Sequence, residues 1–449
     1  MKSGDYQVLS KKAKANQYWE QNLVCPACKG AIRIMIPQMQ CKSCHSNYPI
    51  IDGVPCFVLG ALDEHQKAEL ESVLSKSMHH KSSLSREKPS DFITPKWLEG
   101  KLDNKTVDHN TRIICIGGGS GDDLPHVTSH FKFNVDHLAH EYVKLSKEMV
   151  EEQATEGTIK HIASTSEFLP FRDNYADVVY SRNSLDHVNN PLKTMLEIHR
   201  VLKPKGRFFL SVFYNSNFID CCETTIIDDD FVGNHLKNLF SVEWWMELCP
   251  VEAESGHQVP KFSLPERRKL EWLHAVCQKR EDYKRYDPKT LEEYGRLTSD
   301  FHAASYYDEN LKHEEASKFY SKVLNQEPFL ESDKMRILYS KIRYLAIKDH
   351  EGFKTFFNEF KVSNSDPFWW KIVIFSSGTF MKNELEKEVK LQFSGEELVF
   401  LEHCIKNMTG LSVKRFVKNR KTVYRLTKPF YNLLKRFMKN KDFFERNPF

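Results

Sequence analysis

Four cysteines near the start of the chain have the types and spacing of a metal site. The stretch CPACKGAIRIMIPQMQCKSC separates Cys25 from Cys28 by two residues and repeats that interval between Cys41 and Cys44. Two such pairs can bring four thiolates to the corners of a tetrahedron, which is how proteins hold a structural Zn²⁺ with no open coordination position. The alternation in AIRIMI predicts a hairpin strand between the pairs. The spacing therefore favours a structural zinc site over four unrelated core cysteines.

A second candidate site is a glycine-rich turn. The segment RIICIGGGSGDDLPHV is typical of a β-strand that enters such a turn before a helix, and its alternating glycines are Gly117, Gly119 and Gly121. A dinucleotide fingerprint needs its third glycine where this chain has Asp122, and a P-loop needs a Gly-Lys-Ser/Thr end that is absent. The turn therefore suits either a ligand without phosphates or a tight strand–helix connection with no ligand.

The elements around this turn predict a parallel sheet. The run FKFNVD reads as a second strand that ends in Asp136, whose carboxylate could accept both hydroxyl groups of a ribose. Two more apolar strands follow, one before LPF and one in ADVVYS. An amphipathic helix then leads through a Lys-Pro-Lys-Gly turn to a buried strand. Repeated strand–turn–helix units predict an α/β fold, a Rossmann-like doubly wound sheet with ligand sites at the strand carboxyl ends.

Residues 111–213 resemble the S-adenosylmethionine-binding core of class I methyltransferases, in the branch with quinone-biosynthesis and small-molecule methyltransferases. The glycine turn and LPFRDNYADVVYSRNSLDHVNNPLKTMLEIHRVLKPKGRFFLSV carry the likeness. The resemblance implies that the glycines approach the methionine moiety and that Asp136 holds the ribose. It implies further cofactor contacts near the adenine and the methionine from Thr165, Ser166, Glu167, Arg182 and Asn183. Two positions that are usually acidic in the family are Cys115 and Thr165 in this chain.

The cysteine segment carries a second resemblance. The stretch CKSCHSNYPIIDGVPCFV is similar to the small zinc-ribbon activator subunits of tRNA and rRNA methyltransferases, and to related ribbons fused to bacterial methyltransferases. The resemblance implies an N-terminal zinc ribbon whose metal is structural.

The candidate catalytic residues follow the predicted fourth strand. Methyl transfer from a sulfonium needs alignment of nucleophile, methyl group and sulfur, and an oxygen nucleophile also needs a base. Asp186 and His187 stand near the point where the methyl group would emerge. His187 is the first candidate base and Asp186 the second, while a purely structural role for His187 is an equal alternative.

The chain is long enough for about three domains. We expect a zinc ribbon at 18–60, a helical lead-in at 61–108, a methyltransferase core at 109–215, an α-helical insertion at 216–392, a final helix and β-hairpin of the core at 393–428, and a basic amphipathic tail at 429–449. Within the insertion, Tyr307, Ala316, Tyr320 and Pro328 have the spacing of one tetratricopeptide unit, which an ordinary helix pair explains equally well. A separate helical domain on a shorter core is the alternative to an insertion.

The formal net charge of +4 is unevenly distributed. Residues 411–449 carry 12 Lys and Arg against 2 Asp and Glu, which indicates a localised basic patch and not a protein that coats nucleic acid. The apolar helical face from Phe430 to Met438 fits docking on the protein's own domain better than contact with an anionic membrane, although both are possible uses. The cations could also hold a phosphate-bearing acceptor.

These features lead to three functional hypotheses. The first is a methyltransferase that acts on an O or N atom of a small-molecule or glycan-linked acceptor. The second is an RNA methyltransferase that uses the ribbon and the basic tail, although SRNS stands where an N-P-P-Y-type loop would follow the fourth strand. The third is a non-catalytic scaffold with protein contacts through the ribbon and the helical insertion. No run of about 18 apolar residues and no apolar leader is present, so a cytoplasmic location is expected.

Overall fold

The computed structural model describes residues 17–58, 70, 96–103, 105–119, 127–145, 159–214, 227, 229–248, 271–309, 312–328, 331–365, 370, 373–374, 382–395, 397–398, 401–402 and 405. The chain divides into two compact units, which are described separately. The first unit consists of Met1–Val212, Phe231–Met246 and Leu273–Glu292. The second consists of Phe213–Asp230, Glu247–Trp272 and Glu293–Phe449.

The first unit begins with a small antiparallel sheet. Residues 17–22 are helical, and four strands follow in the order of the chain: β1 (Ile32–Met35), β2 (Gln38–Cys41), β3 (Asn47–Ile51) and β4 (Val54–Pro55). Along β1 and β2 the buried residues alternate with more exposed ones, as one buried face requires. The predicted strand in AIRIMI is therefore present. We call residues 17–57 the cysteine module.

The main sheet of the first unit has seven strands in the order β10-β11-β9-β8-β5-β6-β7. These strands are β5 (Arg112–Ile116), β6 (Phe131–Asp136), β7 (Ile159–Ala163), β8 (Ala176–Arg182), β9 (Leu202–Tyr214), β10 (Phe240–Leu248) and β11 (Glu271–Lys279). The pairs β5–β6, β6–β7, β5–β8 and β8–β9 are all parallel. Their near-continuous burial fits strands covered on both faces. The predicted Rossmann-like α/β class is confirmed.

Two helices of this unit follow the ends of its strands: α1 (Ala139–Leu145) and α2 (Pro191–Val201). Helix α2 begins where the sequence predicts, because the side chain of Asn190 accepts a hydrogen bond from Lys193 N (2.9 Å) and Pro191 occupies the first turn. Its apolar stripe is fully buried at Leu192 and Met195, so packing of one face holds it on the sheet.

The last two strands of the main sheet lie where the sequence predicts an α-helical insertion. Strands β10 and β11 fall inside residues 216–392, so these two segments of that stretch are strands and not helices. Arg280 N donates to Leu239 O (3.1 Å) and Ser241 Oγ to Gln278 O (3.4 Å), an antiparallel arrangement. The strands of the predicted hairpin, at 411–418 and 422–427 within 393–428, lie outside the described residues, as does the tail at 429–449. The other predicted boundaries stay predictions.

The described part of the second unit is mainly helical. It contains α3 (Pro288–Glu309, which starts in the first unit), α4 (His313–Leu324), α5 (Glu331–Lys348), α6 (His350–Ser363) and α7 (Lys382–Gln392). A buried ion pair links α3 to α5, since Arg343 Nη2 donates to Asp308 Oδ1 over 2.6 Å. Tyr320 Oη of α4 donates to Asp308 Oδ2 over 3.0 Å. Among the described residues, no helix is both long enough and apolar enough to span a membrane.

The cysteine module packs on the edge strand of the main sheet. Cys56 forms a parallel bridge with Ala163 at the end of β7, and Phe57 N donates to Ala163 O over 2.7 Å. Val54 and Cys56 share a small apolar core with Ala139, Val143 and Ala163. The module thereby covers a sheet edge that would otherwise expose unpaired backbone groups.

Candidate functional site

A cavity of about 260 Å³ opens at the carboxyl ends of four parallel strands. Its lining is formed by residues 116–117, 119, 135–137, 142, 164–167, 183–184 and 187–189. These segments follow β5, β6, β7 and β8, whose carboxyl ends lie at one edge of the sheet. The sheet therefore brings together Gly117, Gly119, Asp136, Thr165, Ser166, Glu167, Asn183 and His187 from the residues that the sequence predicts. Predicted Gly121 lies outside the described residues.

The glycine turn after β5 requires residues without side chains. Gly117 and Gly119 have φ values of +63° and +52°, a left-handed conformation that glycine adopts at little cost. A Cβ atom on Gly117 would lie 2.3 Å from the Cβ of Ser184. Asn134 Nδ2, from β6, donates to Gly119 O over 2.8 Å. The turn is thus fixed against two neighbouring strands with its backbone facing the cavity.

Asp136 ends β6 and joins that strand to the glycine turn. Its Oδ2 accepts a hydrogen bond from Gly119 N (3.0 Å), and its Oδ1 accepts one from Leu138 N (2.8 Å). The residue is 6% exposed and lines the cavity. A buried carboxylate that accepts from two backbone amides has a fixed orientation and still offers further lone pairs to a ligand.

Residues 164–168, which we call the wall, connect β7 to the loop before β8. Ser166 Oγ lies 2.9 Å from Thr194 Oγ1, and Glu167 Oε1 accepts from Asn190 N over 3.1 Å. Both hydrogen bonds hold the wall on the first turn of α2, so the buried Glu167 carboxylate also supports that helix start. Thr165, which directly precedes Ser166 and is half-buried, lines the cavity.

Arg182 is the last residue of β8 and Asn183 follows it, but only Asn183 lines the cavity. Asn183 lines the cavity with φ +48°, and its backbone N donates to Ser211 O over 2.7 Å. Arg182 is exposed and is not among the lining residues. Its guanidinium acts on His274, whose pKa is lowered to about 4 by burial and, secondly, by this positive charge. The cavity therefore includes Asn183 and leaves Arg182 outside.

The candidate catalytic pair occupies a short 3-10 turn, Leu185–His187. His187 lines the cavity, whereas Asp186 is buried and does not line it. His187 Nε2 lies 3.9 Å from Asp186 Oδ1, which is an electrostatic contact and too long for a hydrogen bond. Of the two, His187 has the access that a base needs.

Sequence reasoning missed several lining residues. Ser184 lies under the glycine turn, where its Oγ donates to Ile116 O (3.0 Å) and sits 2.7 Å from Ser181 Oγ. Tyr142 and His137 also line the cavity. Ser184 directly follows the predicted Arg-Asn pair, which is a usable signal, but nothing in the sequence indicates that Tyr142 turns toward the glycines.

Two basic groups that follow lining segments in the chain are partly desolvated. Burial lowers the pKa of Lys193, whose Nζ lies 3.5 Å from the ring centroid of the exposed Phe168. Burial also lowers the pKa of His140, although the neighbouring Glu141 carboxylate opposes that shift. Neither group is among the residues that line the cavity.

The four predicted cysteines lie together in the cysteine module. Their sulfur atoms are all within 4.8 Å of one another, with 3.7 Å between Cys25 and Cys44 and 3.4 Å between Cys28 and Cys41. Four sulfurs around Zn²⁺ at about 2.3 Å stand roughly 3.8 Å apart. A Cβ on Gly30 would lie 3.1 Å from Cys41 Sγ. The chain directly after the Cys25–Cys28 turn, which we call the knuckle, therefore also needs a glycine. Donor type and spacing fit a closed tetrahedral zinc site.

Comparison with known proteins agrees with the geometry of the main sheet. Residues 114–210 match a family model described as a methyltransferase domain. The chain is similar to a sarcosine/dimethylglycine N-methyltransferase of Aphanothece halophytica, with 28% identity over 187 residues and 41% of this chain. It is also similar to the ubiquinone/menaquinone biosynthesis C-methyltransferase UbiE of Proteus mirabilis, with 24% identity over 165 residues and 35% of this chain. The matched segment contains all the residues that line the cavity.

The chain spans just under two thirds of the length of these relatives, 65% and 64% respectively. A solved complex of the Haloferax volcanii Trm112 methyltransferase activator with a methyltransferase matches 49% of this chain and 99% of that one, at 18% identity and a TM-score of 0.33.

Proposed function

We propose that this protein is an S-adenosylmethionine-dependent methyltransferase whose cofactor binds in the cavity at the carboxyl ends of β5, β6, β7 and β8. The observation that carries the proposal is the convergence of the glycine turn, Asp136 and the wall on one cavity, within the segment that matches a methyltransferase domain. The cavity combines a glycine turn with two fixed carboxylates, Asp136 and Glu167, and has no P-loop lysine, which suits a cofactor without phosphates.

Each part of the cavity has a role in this proposal. Gly117 and Gly119 let the backbone approach the methionine moiety, and Asp136 accepts hydrogen bonds from the ribose hydroxyls. The wall flanks the adenine, where the Thr165 hydroxyl can accept a hydrogen bond from an amino group. Asn183 borders the methionine side. Two other residues are predicted to contact the cofactor. Arg182 is not among the lining residues, and Gly121 lies outside the described residues.

The acceptor in this proposal is a small or glycan-linked molecule with an O or N nucleophile. When bound, the cofactor supplies an electrophilic methyl group. His187 is the proposed base, because it lines the cavity at the end of β8 and can take a proton from a hydroxyl acceptor. Asp186 is buried, with its Oδ1 3.9 Å from His187 Nε2, and is the second candidate. One named relative methylates carbon and another nitrogen, so a carbon acceptor is the outcome that would revise this part.

We also propose that Cys25, Cys28, Cys41 and Cys44 hold a structural Zn²⁺. Four sulfur donors leave no coordination position for a substrate, so the metal would stabilise the cysteine module and take no part in methyl transfer. The support is the donor set and its spacing.

The proposal is tested by titrating the zinc-loaded protein with S-adenosylhomocysteine in a calorimeter. We expect Asp136→Ala to raise the Kd at least about tenfold, because a carboxylate hydrogen bond contributes roughly 1.5–3 kcal/mol. Asp103→Ala is the matched control, since Asp103 also accepts from backbone amides (Gly100 N at 2.9 Å and Lys105 N at 2.8 Å) but is not a lining residue. Equal affinities of wild type and Asp136→Ala would refute the ribose assignment, and no binding by wild type would refute the function.

A further inference from the structure

The wall of the cavity is attached at both ends to the cysteine module. At its start, Phe57 N donates to Ala163 O over 2.7 Å. Just past its end, Val24 N donates to Pro170 O over 2.9 Å. The intervening residues 164–167 all line the cavity. The conformation of the wall therefore depends on backbone bonds from two separate parts of the module.

Lys29 adds a side-chain contact at the second attachment. It directly follows Cys28, and its φ of +59° is held by the knuckle, where Lys29 N donates to Cys25 O over 2.8 Å. Its Nζ lies 3.3 Å from Leu169 O and 3.1 Å from Glu197 Oε2. The Lys29 side chain thus runs from the cysteine knuckle to the backbone of Leu169, the residue directly after the wall.

Glu197 forms a second link between Lys29 and Leu169. Its Oε2, which Lys29 contacts, also accepts from Leu169 N over 2.9 Å. Arg200 donates to both oxygens of the carboxylate, from Nε to Oε1 over 2.6 Å and from Nη2 to Oε2 over 2.8 Å, and its Nη2 also lies 3.1 Å from Leu169 O. The side chains of Lys29 and Glu197 are 31% and 13% exposed, so water screens this pair less than a surface pair. Glu197 therefore holds the N–H of Leu169, while Lys29 and Arg200 share its carbonyl oxygen.

We propose that Lys29 is a positioning residue for cofactor binding. By joining the Cys25–Cys28 knuckle to Leu169 and Glu197, it fixes the wall in the conformation that binds the cofactor, and it thereby couples the metal site to the cofactor site. The inference rests on the proposed function. Because coupling of two binding equilibria is reciprocal, cofactor binding strengthens metal retention by the same factor.

Three variants of the full-length protein test this role. Lys29→Met keeps the aliphatic stem and removes the ammonium, and Lys29→Arg keeps a cation with hydrogen-bond donors. Lys42→Met is the matched control, because Lys42 follows Cys41 as Lys29 follows Cys28 but is exposed. For each we would measure the Kd for S-adenosylhomocysteine by calorimetry, the zinc content per chain and the Tm. We expect Lys29→Met to raise the Kd about fivefold or more with one zinc retained, Lys29→Arg to recover part of the loss, and Lys42→Met to match wild type.

The alternatives give different results. A lower Tm of Lys29→Met with an unchanged Kd would assign Lys29 a purely structural role and overturn the proposal. Loss of zinc from Lys29→Met would overturn it as well, because the residue would then act on the metal knuckle and not on the wall. If wild type fails to bind S-adenosylhomocysteine, the proposed function fails first and this inference falls with it.

Discussion

The cysteine cluster and the cofactor cavity are both visible in the sequence, but they are built in different ways. The cluster takes all four side chains from one short segment, Cys25–Cys44, whose hairpin brings them together locally. The cavity takes its residues from the ends of four strands, and strand order decides which ends meet. Sequence spacing therefore specifies the cluster almost completely, whereas it specifies the cavity only through the fold.

Because the two sites are built differently, substitutions in the cysteine cluster and in the cavity should have different effects. A closed four-sulfur site has no substitute ligand, so loss of one cysteine removes the cross-link that organises a small module. The cavity rests on a sheet with a buried core, and loss of one lining side chain leaves that core in place. Changes in the cluster should therefore affect folding first, and changes in the cavity should affect ligand affinity first.

Metal removal should have the largest effect. We expect Cys41→Ser, or treatment with a strong chelator, to unfold the cysteine module, since structural zinc contributes on the order of 10 kcal/mol in small zinc modules. Zinc content measured by mass spectrometry should fall from one per chain to near zero. Limited proteolysis should then cut within residues 17–57.

Cys56→Ser is the control for this experiment. Cys56 is buried in the same module, but the metal-type cluster comprises the other four cysteines. The variant should keep one zinc and lose a small amount of stability. Retention of zinc by Cys41→Ser would contradict the assigned ligand set.

A substitution in the glycine turn should have a smaller effect, on affinity more than on folding. Gly117→Ala forces an L-residue to φ +63° and brings its Cβ to 2.3 Å from Ser184 Cβ. The clash displaces the turn at a cost of about 1–3 kcal/mol, so we expect the Kd for S-adenosylhomocysteine to rise about tenfold. Calorimetric titration of the variant measures this change.

Gly100→Ala is the control that separates the cost of a left-handed backbone from the cost of the Cβ clash. Gly100 has φ +68°, but no atom lies within 4 Å of the position that a Cβ would occupy there. Both variants should lose about 1 kcal/mol of unfolding free energy from the left-handed conformation, while only Gly117→Ala should lose cofactor affinity. Equal affinities of the two variants would mean that the ligand does not contact the turn.

Much of the core of the fold follows from local sequence. The predicted second strand coincides with β6, Phe131–Asp136, and the predicted amphipathic helix coincides with α2. Their signals are strong because an apolar run that ends in a carboxylate, and an Asn-Pro start before a 3.6-residue apolar stripe, each fit one type of element. The cysteine spacing is equally direct.

The strands β10 and β11 show where local reasoning fails. FSVEWWMEL and EWLHAVCQK mix charged and aromatic residues at intervals that fit a helix as well as a strand, and a long stretch of chain separates them. Their structure is set by pairing at the edge of the sheet, of β11 with β9 and of β10 with β11, which is a tertiary effect. Tyr142 was missed for the same reason, because its approach to Gly119 depends on how α1 packs.

Binding of S-adenosylmethionine in the cavity at the strand ends, through Asp136 and the glycine turn, can be observed in a crystal structure. The crystals would be grown from the zinc-loaded protein with saturating S-adenosylhomocysteine. We expect ligand density in the cavity, with the ribose hydroxyls within hydrogen-bond distance of the Asp136 carboxylate. Density for the ligand at another site, or a cavity that holds no ligand at saturation, would contradict it.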